Sequence, residues 1–65
     1  MEIKEMYFVV SWSDEYGQQF EKKYQSANRA RAAWDNIPAG AKSKYLYLFT
    51  ETINGRNWQI IVSEE

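Results

Sequence analysis

SANRARAAWDN, Ser26 to Asn36, decides the fold of this 65-residue chain. Its apolar positions Ala27, Ala30, Ala33 and Trp34, with Ile37 beyond them, fall on one side of a 3.6-residue helical repeat. Ser26 is placed to cap the free N–H groups of the first turn, and Pro38 blocks a clean continuation. A helix of about ten residues does not persist alone in water. It must lie on a surface, and the flanking segments supply one.

Upstream, MYFVVSWS (residues 6–13) is rich in β-branched and aromatic residues and predicts a strand. QQFEKKYQ (18–25) alternates Phe20, Lys22 and Tyr24 with Gln19, Glu21 and Lys23 and predicts a second. The loop Glu15–Tyr16–Gly17 between them, with Gly17 left-handed, sets Trp12 against Phe20 and Phe8 against Tyr24. One face then carries Phe8, Val10, Trp12, Phe20 and Tyr24, and the other Tyr7, Val9, Ser11, Glu21 and Lys23.

Downstream, PAGAKSK (38–44) is expected as a solvated loop. KYLYLFTETI and RNWQIIVS follow, joined by Asn54-Gly55, the strongest short hairpin signal. A turn there pairs Ile53 with Arg56, Phe49 with Ile60 and Tyr47 with Val62. One face collects Tyr45, Tyr47, Phe49, Trp58, Ile60 and Val62, and the other Leu46, Leu48 and Ile61. The order ββαββ predicts a single α+β domain over residues 1–65, a four-stranded, mostly antiparallel sheet with one short helix on one face. Strand 1 and the two C-terminal strands, apolar on both faces, are expected to be central. The second strand, with Lys22 and Lys23, is expected at an edge.

Composition narrows the chemistry. Three Trp, five Tyr and three Phe give a domain near the lower size limit a large apolar area for few rotatable bonds. With no Cys and no His, disulfides, thiolate or imidazole metal sites and Cys or His catalysis are excluded. No apolar run approaches a membrane span, and the N-terminal run is too short and wrongly flanked for a signal peptide. A cytoplasmic protein without cofactor or metal is the expectation.

Asp14, Glu15, Asp35, Glu51, Glu64 and Glu65 are not brought beside a partner acid or base by local spacing, so they are read as solvated carboxylates and the chain as non-catalytic. The Gly, Lys and Ser of PAGAKSK lack phosphate-loop spacing. Net charge is −1, yet residues 26–44 hold four basic side chains, Arg29, Arg31, Lys42 and Lys44, against one acid. They form the alternative site, a nucleic-acid contact with Tyr16, Tyr45 or Tyr47 to stack, set against their use as solubilising charge.

The preferred site is apolar. With the aromatic-rich set under the helix, Tyr7, Val9, Leu46, Leu48 and Ile61 would remain as a patch on the open face unless long neighbours or Ile3 and Met6 cover them. The expected function is a small protein-binding module that occupies a partner's surface. By analogy of size and organisation alone, this suits a phage-type inhibitor or modulator of a host or defence protein. Self-association as a homodimer, face to face through the same patch, is expected from the marginal size of the core. Pairing along a sheet edge is the competing mode, against which Lys22 and Lys23 argue on the second strand.

Overall fold

Asp14 closes the first hairpin. Its carboxylate accepts hydrogen bonds from the Tyr16 and Gln18 amides, both at 2.9 Å, and its own N–H donates to the Gln18 carbonyl at 2.9 Å. Gly17 takes φ 85°, a conformation that a side chain would strain. These contacts fix the register between β1 (Ile3–Ser13) and β2 (Gln19–Tyr24), with Trp12 opposite Phe20 and Phe8 opposite Tyr24, as the turn chemistry implied. The structure, a computed structural model, describes residues 2–64; the carboxylate of Glu65 lies outside the described residues.

The helix α1 (Ala27–Asp35) follows immediately, with the Ser26 hydroxyl accepting weakly from the Arg29 amide at 3.5 Å. Asn36 ends it. Its side-chain amide donates to the Ala32 carbonyl at 2.8 Å, and its backbone N–H to the Ala32 and Ala33 carbonyls. Two further strands, β3 (Lys42–Thr52) and β4 (Gly55–Glu64), complete the chain. The four strands form one antiparallel sheet in the order β2-β1-β3-β4, so the architecture is the α+β fold expected. β1 begins three residues earlier than expected, at Ile3, and β3 takes up the end of the presumed loop. A bulge near Ser43, at φ 53°, accommodates that extension, and the Ser13 hydroxyl donates to the Lys42 carbonyl at 3.0 Å beside it.

The second hairpin turns one residue before the expected place. Ile53 and Asn54 form the turn, Thr52 pairs with Gly55, and Phe49 therefore meets Trp58 in place of Ile60. Gly55 is used for its φ of 134° and not as a central turn residue. The observed ladder differs from the expected one by a two-residue slide, which keeps every side chain on its face, so hydrophobic alternation could not separate the two. Farther along, a bulge between the Leu46 and Tyr47 pairings inserts Ile61 and turns Val62 to the opposite face from the one expected.

The helix lies on Val10 and Leu46, which are buried with Ala30 and Trp34. Phe8, Trp12, Tyr24, Ala33, Ile37 and Val62 surround this core. Ala30 is fully inaccessible, and the small side chain there lets the helix approach the sheet closely. The face of β1 under the helix is the one expected; the face of β3 is the other one. Because Phe8 pairs with Leu48 and Val10 with Leu46, the leucines join the helix side, while Tyr45, Tyr47 and Phe49 share the uncovered side with Tyr7 and Val9. A second correction concerns β4, which is an edge strand and not a central one.

Candidate functional site

The uncovered face is built from alternate residues of three strands. Tyr7 on β1 stacks on Phe49 of β3, with ring centroids 4.8 Å apart, and Phe49 meets Trp58 of β4 at 5.2 Å in a tilted arrangement. Val9 and Phe49 are buried although no element covers them. Long neighbours do this. The Lys23 ammonium sits 4.7 Å above the Tyr7 ring, the Tyr47 hydroxyl donates to Glu21 at 3.4 Å, and Arg56 pairs with Glu51 at 3.3 Å. Ile3 and Met6 lie within β1 and remain about half exposed.

What is left bare lies toward β4. Trp58 is 58% exposed and Ile60 59%, on a strand whose other side chains are almost all in water. The two edges of the sheet thus differ: β2 presents lysines, and β4 presents an indole and a branched aliphatic chain.

Of the five residues expected in a protein-binding patch, Tyr7 and Val9 lie on the open face, Tyr7 half-buried and Val9 buried. Leu46 is buried beneath the helix, and Leu48 is half-buried on that same side. Ile61, at the bulge, borders the groove between helix and sheet with Phe8, Ala27, Ala30 and Arg31. These three therefore do not form an open-face patch. Trp58, Ile60, Tyr47 and Phe49 stand there instead. A signal for this was present in the sequence. Tyr45 and Tyr47 alternate with Leu46 and Leu48, and a phenol prefers a site where its hydroxyl reaches water or a polar partner, whereas leucine has no such need.

The four basic residues divide between α1, with Arg29 and Arg31, and β3, with Lys42 and Lys44. Arg29 and Arg31 are exposed on the helix, and Lys42 is exposed at the start of β3. Lys44 is engaged, its ammonium 3.4 Å from Glu64 and 4.9 Å from the Trp34 ring centroid. Tyr45 and Tyr47, expected to stack on bases, sit on the opposite side of the sheet from the helix, and Tyr16 stands alone, 87% exposed, at the first turn. Among the described residues no group of three or more carboxylates gathers as a metal site, and no helix is long and apolar enough to cross a membrane.

Among the described residues, Tyr47 alone has a marked pKa shift. Burial raises its phenol above the ordinary value of 10.0, and the neighbouring Glu21 carboxylate and Tyr7 push the same way. The folded state therefore favours the neutral phenol. Its stabilising effect should be complete below pH 10.0 and should fade as pH rises through the folded value. Urea melts across this range should show an alkaline loss of stability that Tyr47→Phe reduces, and absorbance titration should show a tyrosine that ionises above pH 10.0 missing from that variant.

Comparison with protein-family models, curated proteins and solved structures finds no match, so the functional reading rests on this chain's own residues.

Proposed function

We propose that this chain is a small, non-catalytic protein-binding module that acts by occupying a partner's surface with the open face of its sheet. The observation that carries this reading is Trp58, more than half exposed at the end of the ring series Tyr7–Phe49–Trp58. Trp and Tyr are the residue types that dominate binding energy at protein interfaces, because each buries much area at little entropic cost. Here the rings are already held by one another and by Lys23, so little order remains to be imposed on binding.

The charges around the rings favour protein over nucleic acid. The open face sets Glu5, Glu21 and Glu51 beside Lys23 and Arg56, a mixed rim of the kind that surrounds protein contacts. A phosphate backbone would meet excess acid there. Blocking the working surface of another protein, as small phage-encoded inhibitors do, is the mode of action that suits a rigid module of this size; that comparison is one of organisation only.

Affinity capture tests the reading. Loss of a buried tryptophan anchor costs about 2 kcal/mol or more, roughly thirtyfold in affinity. Trp58→Ala should therefore release a protein partner that wild-type chain retains, while Arg29→Ala/Arg31→Ala should retain it. Equal recovery by Trp58→Ala, or release by nuclease, would overturn the proposal.

A further inference from the structure

We infer that two copies of this chain pair antiparallel along β4, joining their sheets into one continuous sheet with both open faces on the same side. β4 is an unpaired edge of ten residues. At about 3.3 Å per residue it runs about 33 Å, most of the molecule's 40 Å long axis. The helix packs mainly on β1, β2 and β3, and of β4 only Ile61 and Val62, beyond residues 55–60, reach its core or groove. Natural edges are blunted by shortness, lysine, proline or bulges, and β4 carries its bulge only at Ile61, past that segment. β2 has six residues and two lysines, Lys22 and Lys23, whereas β4 has neither lysine nor proline and exposes Trp58, Ile60 and Ile61.

The hairpin sets which backbone groups are free. A two-residue turn closes on a hydrogen-bonded pair, here Thr52 and Gly55. Alternation then directs the N–H and C=O groups of Arg56, Trp58 and Ile60 away from β3. The bulge at Ile61 interrupts the regular edge just beyond them. A two-fold axis through Trp58 matches every free group in this segment, with Trp58 opposite Trp58 and Arg56 opposite Ile60.

The side chains agree with a self-complementary partner. Trp58 and Ile60 share the open face, so the two copies bring four apolar side chains together there, and cross-strand aromatic pairs are favourable. The only described charges on β4 are Arg56 near its start and Glu64 at its end, neutralised by Glu51 and Lys44 within the chain. Antiparallel pairing points the basic end of one copy toward the acidic end of the other and sets no like charges opposite. A single-strand contact buries less than the roughly 800 Å² per partner of a standard interface, so association belongs in the micromolar range. This pairing uses the backbone edge and does not depend on the hetero-partner proposed above.

Sedimentation equilibrium from low to high micromolar concentration should show the mass rising from one 7.7 kDa chain toward two. A synthetic chain with the Trp58 nitrogen methylated keeps every side chain but loses one outward donor, and it should remain a single copy with an unchanged circular dichroism spectrum. Hydrogen exchange on the wild-type chain gives a reading that needs no variant: the amides of Arg56, Trp58 and Ile60 should slow with rising concentration, while those of β2 should not. A wild-type chain that stays single overturns the pairing. So does a folded N-methyl chain that still dimerises, which would favour face-to-face association, or exchange rates on β4 that ignore concentration.

Discussion

Leu46→Glu should unfold the domain at neutral pH, while Ile60→Glu, exposed on the opposite face of the edge strand, should leave it folded. Leu46 is 3% exposed and packed with Val10, Ala30 and Trp34. Removing such a leucine costs about 2–5 kcal/mol through lost burial and the space left behind. An unpaired carboxylate at the same place adds several kcal/mol more. A domain of this size has only about 3–10 kcal/mol in total. Acid should restore part of the loss, because protonation removes the buried charge. Circular dichroism and urea melts near pH 4 and pH 7 check both expectations. A folded, cooperative Leu46→Glu variant at pH 7 would show that the helix covers the other face.

Trp34→Ala is the second large effect. Trp34 is the bulkiest side chain that the helix commits to the sheet, and it also lies under the Lys44 ammonium. Its loss should cost about 3–5 kcal/mol, lowering the melting temperature by at least about 12 °C. The nine-residue helix has little stability of its own, so it should detach first. Trp34→Phe should recover much of the loss. A melting temperature for Trp34→Ala within a few degrees of wild type would mean that the helix is held some other way.

The sequence made the first hairpin legible because two independent constraints coincide there: Gly17 demands a left-handed turn, and the alternation of Phe8, Val10 and Trp12 matches Phe20 and Tyr24. The helix and its end were legible for the same reason, from Ser26, Pro38 and the alanine spacing. The pairing of β1 with β3 was not. Phe8 meets Leu48 only after the chain has passed through β2, the helix and a loop, and β3 is apolar on both faces, so alternation alone allows either to be covered. The bulge at Ile61 left no mark in the local pattern either. The edge position of β4 was indicated by Asn57 and Gln59, which share the helix side of the sheet, where a covered central strand would have to satisfy or exclude them.

These errors shift the candidate site and leave its chemical character intact. The expected patch included Leu46, Leu48 and Ile61; the exposed large apolar side chains on the open face are Trp58 and Ile60. With Val9 and Phe49 buried in the middle of that face, its exposed large apolar side chains lie at the β4 side. A partner seated there would touch the rings, and a dimer joined along β4 would present two such ring sets side by side.

Site-specific photo-crosslinking in cells tests the contact surface most directly. A photoreactive phenylalanine analogue replaces Trp58 in one chain and Arg29, on the outer side of the helix, in another. Adducts are then resolved by mass and by nuclease treatment. The open-face account predicts nuclease-resistant adducts from position 58 to a different protein, distinct in mass from a doubled chain and well above any from position 29. Adducts confined to position 29, or adducts at either position that nuclease removes, would contradict it.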